Sequence, residues 1–193
     1  MKTKFLLFSL VLCLFIFTSC SDNDEINTPP INVADCGDMS GFVKLFSDQS
    51  KNIATGEEID DFYIIKGVIA GKLINNQGRE IKIAEDLKGN TKSISSIFLW
   101  GNGGGGDSGQ PYNEFGESLS HYAINDTLVV MFKKMIWEKE NGTSEIYYAT
   151  SGCGCSILKF SKGDVTGRIF SYAEKATISM EELQSQLFLS TNK

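Results

Sequence analysis

The sequence predicts a mostly β domain whose strands close into a barrel and whose chain ends in one short helix. The middle of the 193-residue chain is rich in β-branched and aromatic residues, which favour strands. Turn residues separate these runs at short intervals, as they do in all-β domains. Near the C-terminus, Ser179 is followed three residues later by Glu182, which is the pattern of a helix capping box.

The apolar and turn patterns predict six or seven strands. They are expected over residues 61–71, 79–85, 94–100, 126–137, 145–150, 156–160 and 165–171. Gly67 or Gly71 is expected to mark a bulge or bend in the first strand, since glycine inside a strand often does so. Asn141-Gly142 is the strongest hairpin signal, and further turns are expected at 75–78 and 161–164.

Two helices are expected to pack on these strands. The C-terminal helix carries apolar residues at helical spacing, namely Met180, Leu183 and Leu187. A weaker helix is expected near residues 40–47, with the following side chains inward: Phe42, Leu45 and Phe46. Long strands with few helices fit a five-stranded Greek-key barrel of the OB type, which protects strand edges. A β-sandwich is the alternative, because strand number alone does not separate the two.

The N-terminus has the pattern of a secretory signal. Two lysines precede an apolar run over residues 5–17. A helix needs about 20 apolar residues to cross a bilayer, so this run is too short to do so. The run ends in Phe17-Thr18-Ser19-Cys20, which resembles a bacterial lipobox with phenylalanine where leucine is usual. The resemblance implies removal of residues 1–19 and attachment of fatty-acyl groups such as palmitate to Cys20. An ordinary cleaved signal peptide is the alternative.

A polar segment over residues 20–34 is expected to tether the remaining domain, 35–193, to the membrane. Its acidic residues Asp22, Asp24 and Glu25 resemble the surface-export signal of Bacteroidota lipoproteins, although Asn23 interrupts the usual run. This resemblance implies a lipid-anchored protein of the outer membrane, exposed on the cell surface. A simple spacer without a sorting role is the alternative.

Several short runs resemble the netrin-like domain, the OB barrel shared by tissue inhibitors of metalloproteinases and small bacterial relatives. The resemblance covers about residues 60–160 and is carried by 65–73, 87–89, 97–100, 125–128 and 147–153. The animal inhibitors clamp a protease's zinc with a Cys-x-Cys at the mature N-terminus. In this chain the acylated Cys20 cannot donate its amine, and Cys153 and Cys155 lie deep in the sequence. Protease inhibition is therefore not expected.

Three cysteines remain as disulfide candidates after the signal and the lipidated residue, and an exported location permits disulfides. Cys153 and Cys155 are too close to bridge each other without strain, so Cys36 is expected to pair with one of them, with Cys153 favoured. The bridge would stabilise the fold by roughly 4–5 kcal/mol in the chain-entropy model. A zinc site of the three cysteines with His121 is the alternative, but its Cys-x-Cys spacing is unlike a usual zinc knuckle.

Residues 101–109 contain six glycines in nine positions. They match Gly-x-Gly-x-x-Gly after a strand, yet no helix can open there to receive a pyrophosphate. The segment is therefore expected to be a flexible loop at the barrel mouth. The alternative is a binding loop, whose residues are Trp100, Asn102, Asp107, Tyr112 and Phe115.

No catalytic residue, metal or cofactor is expected from the sequence. The net charge of −6 argues against nucleic-acid binding. His121 is the only histidine, no Gly-x-Ser-x-Gly nucleophile motif is present, and Thr127 lies in a triplet that resembles an O-glycosylation acceptor. The expected function is binding of an envelope or extracellular protein or glycan. The alternative is a structural component of an envelope assembly without a separable ligand.

Overall fold

The computed structural model describes residues 41–49, 61–74, 78–89, 91, 94–100, 119–139, 141–150, 155–171 and 173–191. Their elements in chain order are α1 (Phe42–Gln49), β1 (Phe62–Ile69), β2 (Gly78–Asp86), β3 (Ser96–Trp100), a 3₁₀ turn (Leu119–His121), β4 (Thr127–Glu138), β5 (Ser144–Thr150), β6 (Ile157–Ser161), β7 (Asp164–Gly167), β8 (Ala176–Ser179) and α2 (Met180–Thr191).

Five of the strands form a closed barrel. They follow the order β1-β2-β3-β5-β4, and β4 pairs again with β1 to close the ring. The pair β3–β5 is parallel, and the other neighbours in the ring are antiparallel. This closure confirms the predicted OB-like barrel and excludes the sandwich. Strands β6, β7 and β8 extend the sheet outside the ring from β4.

The pairing of β1 with β2 changes register at the predicted glycine. The register shifts between Lys66 and Gly67, as in a β-bulge, and the extra residue of the bulge, Ala84, lies on β2. A Cβ atom at Gly67 would overlap Cγ2 of Ile81 on β2. Glycine at this position therefore lets β1 pack closely against β2 while it also pairs with β4.

Two hairpins turn where the sequence predicts them. Gly142 has a φ of 77° in the connection between β4 and β5. Lys162 and Gly163 have φ values of 54° and 94° between the paired residues Ser161 and Asp164 of β6 and β7. Two consecutive positive φ values make a type I′ turn, whose twist matches that of the flanking strands.

The fold has a barrel core and a second core outside the ring. The barrel core comprises the inward-facing residues Tyr63, Ile65, Ile69, Ile81, Ile97, Leu99, Leu119, Tyr122, Leu128, Val130, Phe132 and Ile157. The second core includes Phe62, Ile64, Val129 and Met131 from the outer faces of β1 and β4, together with side chains of both helices and of β6 and β7.

Both predicted helices are confirmed and cover the second core. On α1, Phe42, Leu45 and Phe46 are buried, and on α2, Leu183 and Leu187 are buried while Met180 is partly buried. The amide of Glu182 donates to the Ser179 hydroxyl oxygen at 3.1 Å, which confirms Ser179 as the N-cap.

Strand β7 ends four residues earlier than the sequence predicts. Its continuation turns to α1 instead, where the carbonyls of Arg168 and Ile169 accept from the amides of Phe42 and Val43 at 2.8 and 3.0 Å. Strand β8 was not predicted, because four residues alternating between partial burial and exposure give too short a signal.

Candidate functional site

An aromatic cluster lies on the outer face of the barrel, across β3, β5 and β4. We call it the outer aromatic cluster; its members are Phe98, Trp100, Met135, Trp137, Tyr147 and Ala149. Trp100 and Tyr147 are each only 8% exposed. These two rings are therefore packed into the barrel wall.

Gly78 leaves room for the aromatic rings of β3 to approach the β2 backbone closely. Phe98 and Trp100 pack edge to face, with ring centroids 4.9 Å apart. A Cβ atom at Gly78 would overlap the Phe98 ring and lie 2.9 Å from Cε3 of Trp100. The two rings thus cover β2 where Gly78 pairs with Trp100, and they strengthen the pairing of β2 with β3.

The hairpin of β4 and β5 extends beyond the ring. The pairing of β1 with β4 ends at Lys133, and that of β3 with β5 involves Tyr148 and Ala149. Four further pairs join β4 to β5 alone: Met135–Tyr147, Ile136–Ile146, Trp137–Glu145 and Glu138–Ser144. Within the described ranges no third strand pairs with them. We call residues 135–138 and 144–147 the β4–β5 arm; four residues of strand span about 13 Å.

The arm exposes apolar side chains. Ile136 is 68% exposed and Ile146 is 60% exposed, and the two are direct cross-strand neighbours. On the opposite face, the Lys139 ammonium lies 5.2 Å from the Trp137 ring centroid and forms an ion pair with Glu145. A two-stranded hairpin is marginally stable alone, so a contiguous exposed isoleucine pair on it is a candidate interaction surface.

Charged groups surround the base of the arm. Lys134 Nζ lies 3.8 Å from Asp61 Oδ1, an exposed and weak pair. Burial lowers the pKa of Lys133 and raises the pKa of Tyr147, because the low-dielectric surroundings disfavour the charged form of each group. The arm therefore joins the ring through partly desolvated polar groups, and its apolar pair Ile136–Ile146 lies between this base and the polar turn.

A second polar constellation lies where β1 ends and β4 begins. The Asp126 carboxylate accepts from the Ala123 amide at 2.9 Å and pairs with Lys159 at 3.2 Å. The Ala123 hydrogen bond, aided by Lys159 and by the charge of Arg79, holds the pKa of Asp126 below its usual value despite partial burial. Arg79 itself is 8% exposed, and its Nε has no hydrogen-bond partner.

The structure describes one residue of the predicted binding loop. Trp100 is buried in the outer aromatic cluster, so its side chain is a packing residue of the barrel wall rather than an exposed anchor. Asn102, Asp107, Tyr112 and Phe115 lie outside the described residues. The binding-loop hypothesis therefore stays a prediction.

Of the cysteines, Cys155 is a free and fully buried thiol. Burial raises its pKa to about 11, with the nearby Arg168 opposing the rise. Cys36 and Cys153 lie outside the described residues, and so do Cys20, Asp22, Asp24 and Glu25. The disulfide, lipidation and sorting hypotheses stay predictions.

His121 is exposed on the 3₁₀ turn, and Thr127 is partly buried at the start of β4. Across the described ranges, no three histidine, cysteine or carboxylate side chains cluster as metal ligands would. In the same ranges, no helix combines the length and the apolar character that crossing a bilayer requires.

No family model, curated protein or solved structure matches the chain.

Sequence reasoning missed the two features that the structure singles out. The signal for the arm was available, because the predicted strand over 126–137 is about twice the length of a common strand. A strand longer than a small barrel needs can extend beyond it. For Arg79, the alternation that puts Ile81 inward also puts Arg79 inward, two residues earlier on the same strand.

Proposed function

We propose that this chain is a surface lipoprotein whose netrin-like, OB-like domain binds a partner protein through the β4–β5 arm. The observation that carries the proposal is the exposed cross-strand pair Ile136–Ile146 at the end of the barrel. Exposed isoleucines on a protruding hairpin cost solvation free energy in the isolated protein. A partner that covers them recovers that free energy.

The side chains favour a protein partner over a glycan. Sugars stack on exposed aromatic faces, whereas Trp100 and Tyr147 are almost fully buried. The Trp137 ring lies against the ammonium of Lys139. Aliphatic side chains with ion pairs at the border are typical of the apolar centre and polar rim of protein interfaces.

The anchoring part of the proposal rests on the N-terminal sequence. An apolar run followed by Cys20 resembles the signal of a bacterial lipoprotein, and the acidic, polar tether resembles that of Bacteroidota surface lipoproteins. The acidic residues Asp22, Asp24 and Glu25 are proposed to direct it to the cell surface. Replacing all three by alanine should lower cleavage of the domain by protease added to intact cells, while Asn23→Ala, the matched control, should leave cleavage unchanged.

A second candidate is a structural subunit of an envelope assembly. It is favoured by a second set of exposed apolar side chains: Phe170, Phe188 and Leu189, which are 50%, 70% and 54% exposed. A subunit with two separate contact surfaces can join two neighbours. In this case the chain should co-purify at fixed stoichiometry, and substitutions at either surface should disrupt the assembly.

The binding proposal is tested by changing the arm without changing the fold. We combine Ile136→Ser with Ile146→Ser and use Ile124→Ser, at a 46% exposed position outside the arm, as the matched control. Burying an isoleucine fully is worth about 1.5–3 kcal/mol, so two side chains about two-thirds exposed contribute roughly 2–4 kcal/mol. That corresponds to a roughly 30- to 700-fold weaker Kd.

The measurement is quantitative mass spectrometry of envelope proteins cross-linked to the full chain on intact cells. Proteins enriched with the natural chain should stay enriched with Ile124→Ser and be lost with the double variant. The same set in the same amounts for all three chains would contradict a role of the arm. Circular dichroism melts within about 0.5 kcal/mol of each other would show that the fold is retained, as expected for surface changes.

A further inference from the structure

Arg79 is a charged side chain buried in the wall of the barrel. It shares the inward face of β2 with Ile81 and pairs across to Leu99 of β3, and both of these belong to the barrel core. Only 8% of Arg79 is exposed. Its position is close to the end of β1, because the next residue, Glu80, accepts from the amides of Ala70 and Gly71 through its carbonyl.

The guanidinium is not satisfied within the described part of the chain. Its Nε is fully buried and has no hydrogen-bond partner. Arginine stays protonated even when it is buried, so the charge cannot be removed by loss of a proton. A buried charge with an unmade hydrogen bond is costly, and such groups in native proteins call for a reason.

Asp126 does not supply the missing hydrogen bond. The charge of Arg79 acts on Asp126, but that carboxylate is bound by the Ala123 amide and by Lys159. Because both Asp126 oxygens have other partners, Asp126 supplies long-range attraction to Arg79 without a hydrogen bond to its Nε. One edge of the guanidinium, formed by Nε and a neighbouring Nη, is the edge that binds carboxylates and phosphates through two parallel bonds.

We propose that Arg79 is an anion-binding residue that receives an oxyanion, a carboxylate or phosphate group, on its Nε edge. The anion would complete the missing hydrogen bond and neutralise the buried charge. This site is separate from the arm, which leaves the ring beside Phe62 at the other end of β1. The proposal therefore does not depend on the proposed protein partner, and either one can fail while the other holds.

The test uses the full chain in detergent and records the Arg Nε–H resonances by NMR. Inorganic phosphate and acetate are titrated in separate arms, with sodium chloride at matched ionic strength as the reference. Arg79→Gln assigns the resonance, and Lys82→Gln on the exposed face of β2 is the control with the same change in charge. We expect a saturable shift of the Arg79 Nε resonance with at least one oxyanion but not with chloride.

The variants give the size of the effect. Because a hydrogen bond to a charged group contributes strongly to the binding free energy, Arg79→Gln should weaken anion binding about 10- to 100-fold. The anion affinity of Lys82→Gln should equal that of the natural chain. Arg79→Lys keeps the charge without the two-pronged edge and should bind the same anion more weakly than arginine. If Arg79→Gln does not fold, the Nε resonance of the natural chain and the titration of Arg79→Lys still test anion binding at this position.

Three results would overturn the proposal. The first is an Nε resonance that responds to chloride as strongly as to phosphate and acetate. The second is equal affinity in the natural chain and in a folded Arg79 variant. The third is an Nε–H that is already hydrogen-bonded to a carboxylate of this chain before any anion is added. Comparison of the phosphate and acetate arms identifies which group the site prefers.

Discussion

The closed barrel depends on the close packing of β1 against β2 at Gly67, and a single added methyl group tests this packing. Gly67→Ala places a Cβ atom into Cγ2 of Ile81. Overpacking of this kind costs about 1–3 kcal/mol. Because Gly67 has no positive φ, the loss of chain entropy in the unfolded state returns about 0.4–1 kcal/mol of this cost. The net destabilisation is expected between about 0 and 2.6 kcal/mol, and the middle of the two ranges gives about 1.3 kcal/mol.

The contact itself is isolated by a double-mutant cycle with Ile81→Ala. That change alone should cost about 2–5 kcal/mol, since it empties a fully buried site of the barrel core. In its background Gly67→Ala should cost little or nothing, because the obstructing methyl group is gone. Urea unfolding of the four proteins should give a coupling free energy of at least about 1 kcal/mol. Equal costs of Gly67→Ala in both backgrounds would refute the close contact between position 67 of β1 and Ile81 of β2.

Three further predictions follow from the charges, the buried thiol and the N-terminus. The Asp126 carboxylate has a lowered pKa in the folded protein, so it stabilises the fold above the unfolded pKa of about 3.9. That stabilisation is lost as the pH falls towards the lowered pKa. Asp126→Asn should therefore reduce the loss of stability at acid pH in pH-dependent melts. Cys155, buried with a pKa of about 11, should resist iodoacetamide at pH 8 in the folded protein and react in urea; labelling at equal rates in both would contradict its burial. Cys20→Ala should move the chain from the membrane to the soluble fraction, and unchanged membrane fractionation would contradict lipid anchoring.

Much of the fold could be predicted because its signals are local. Gly142, Lys162 and Gly163 adopt positive φ where β-hairpins need it, and Ser179 caps the last helix through one short-range hydrogen bond. Ring closure is different, since the pairs between β1 and β4 join residues far apart in the chain. The alternation of apolar and polar residues along either strand does not indicate which strand pairs with it.

The candidate site was predicted poorly for the same physical reason. A strand that alternates apolar and polar residues looks alike whether or not a neighbour covers it, so Ile136 was indistinguishable from a core residue. Trp100 belonged to the alternative hypothesis of a binding loop, but its ring packs on Phe98 and Gly78 in the barrel wall. Arg79 shares the alternation that places Ile81 inward, but the sequence does not show that the ring closes over this face and buries it.

The most direct test of binding through the arm is site-specific photo-cross-linking on intact cells. A photoreactive amino acid at position 136 or 146 should give discrete, identical adducts with one partner protein. The same group at position 124, which is also exposed but lies outside the arm, should give none of these adducts. Equal adducts from all three positions, or none from the two arm positions, would contradict the arm as the binding surface.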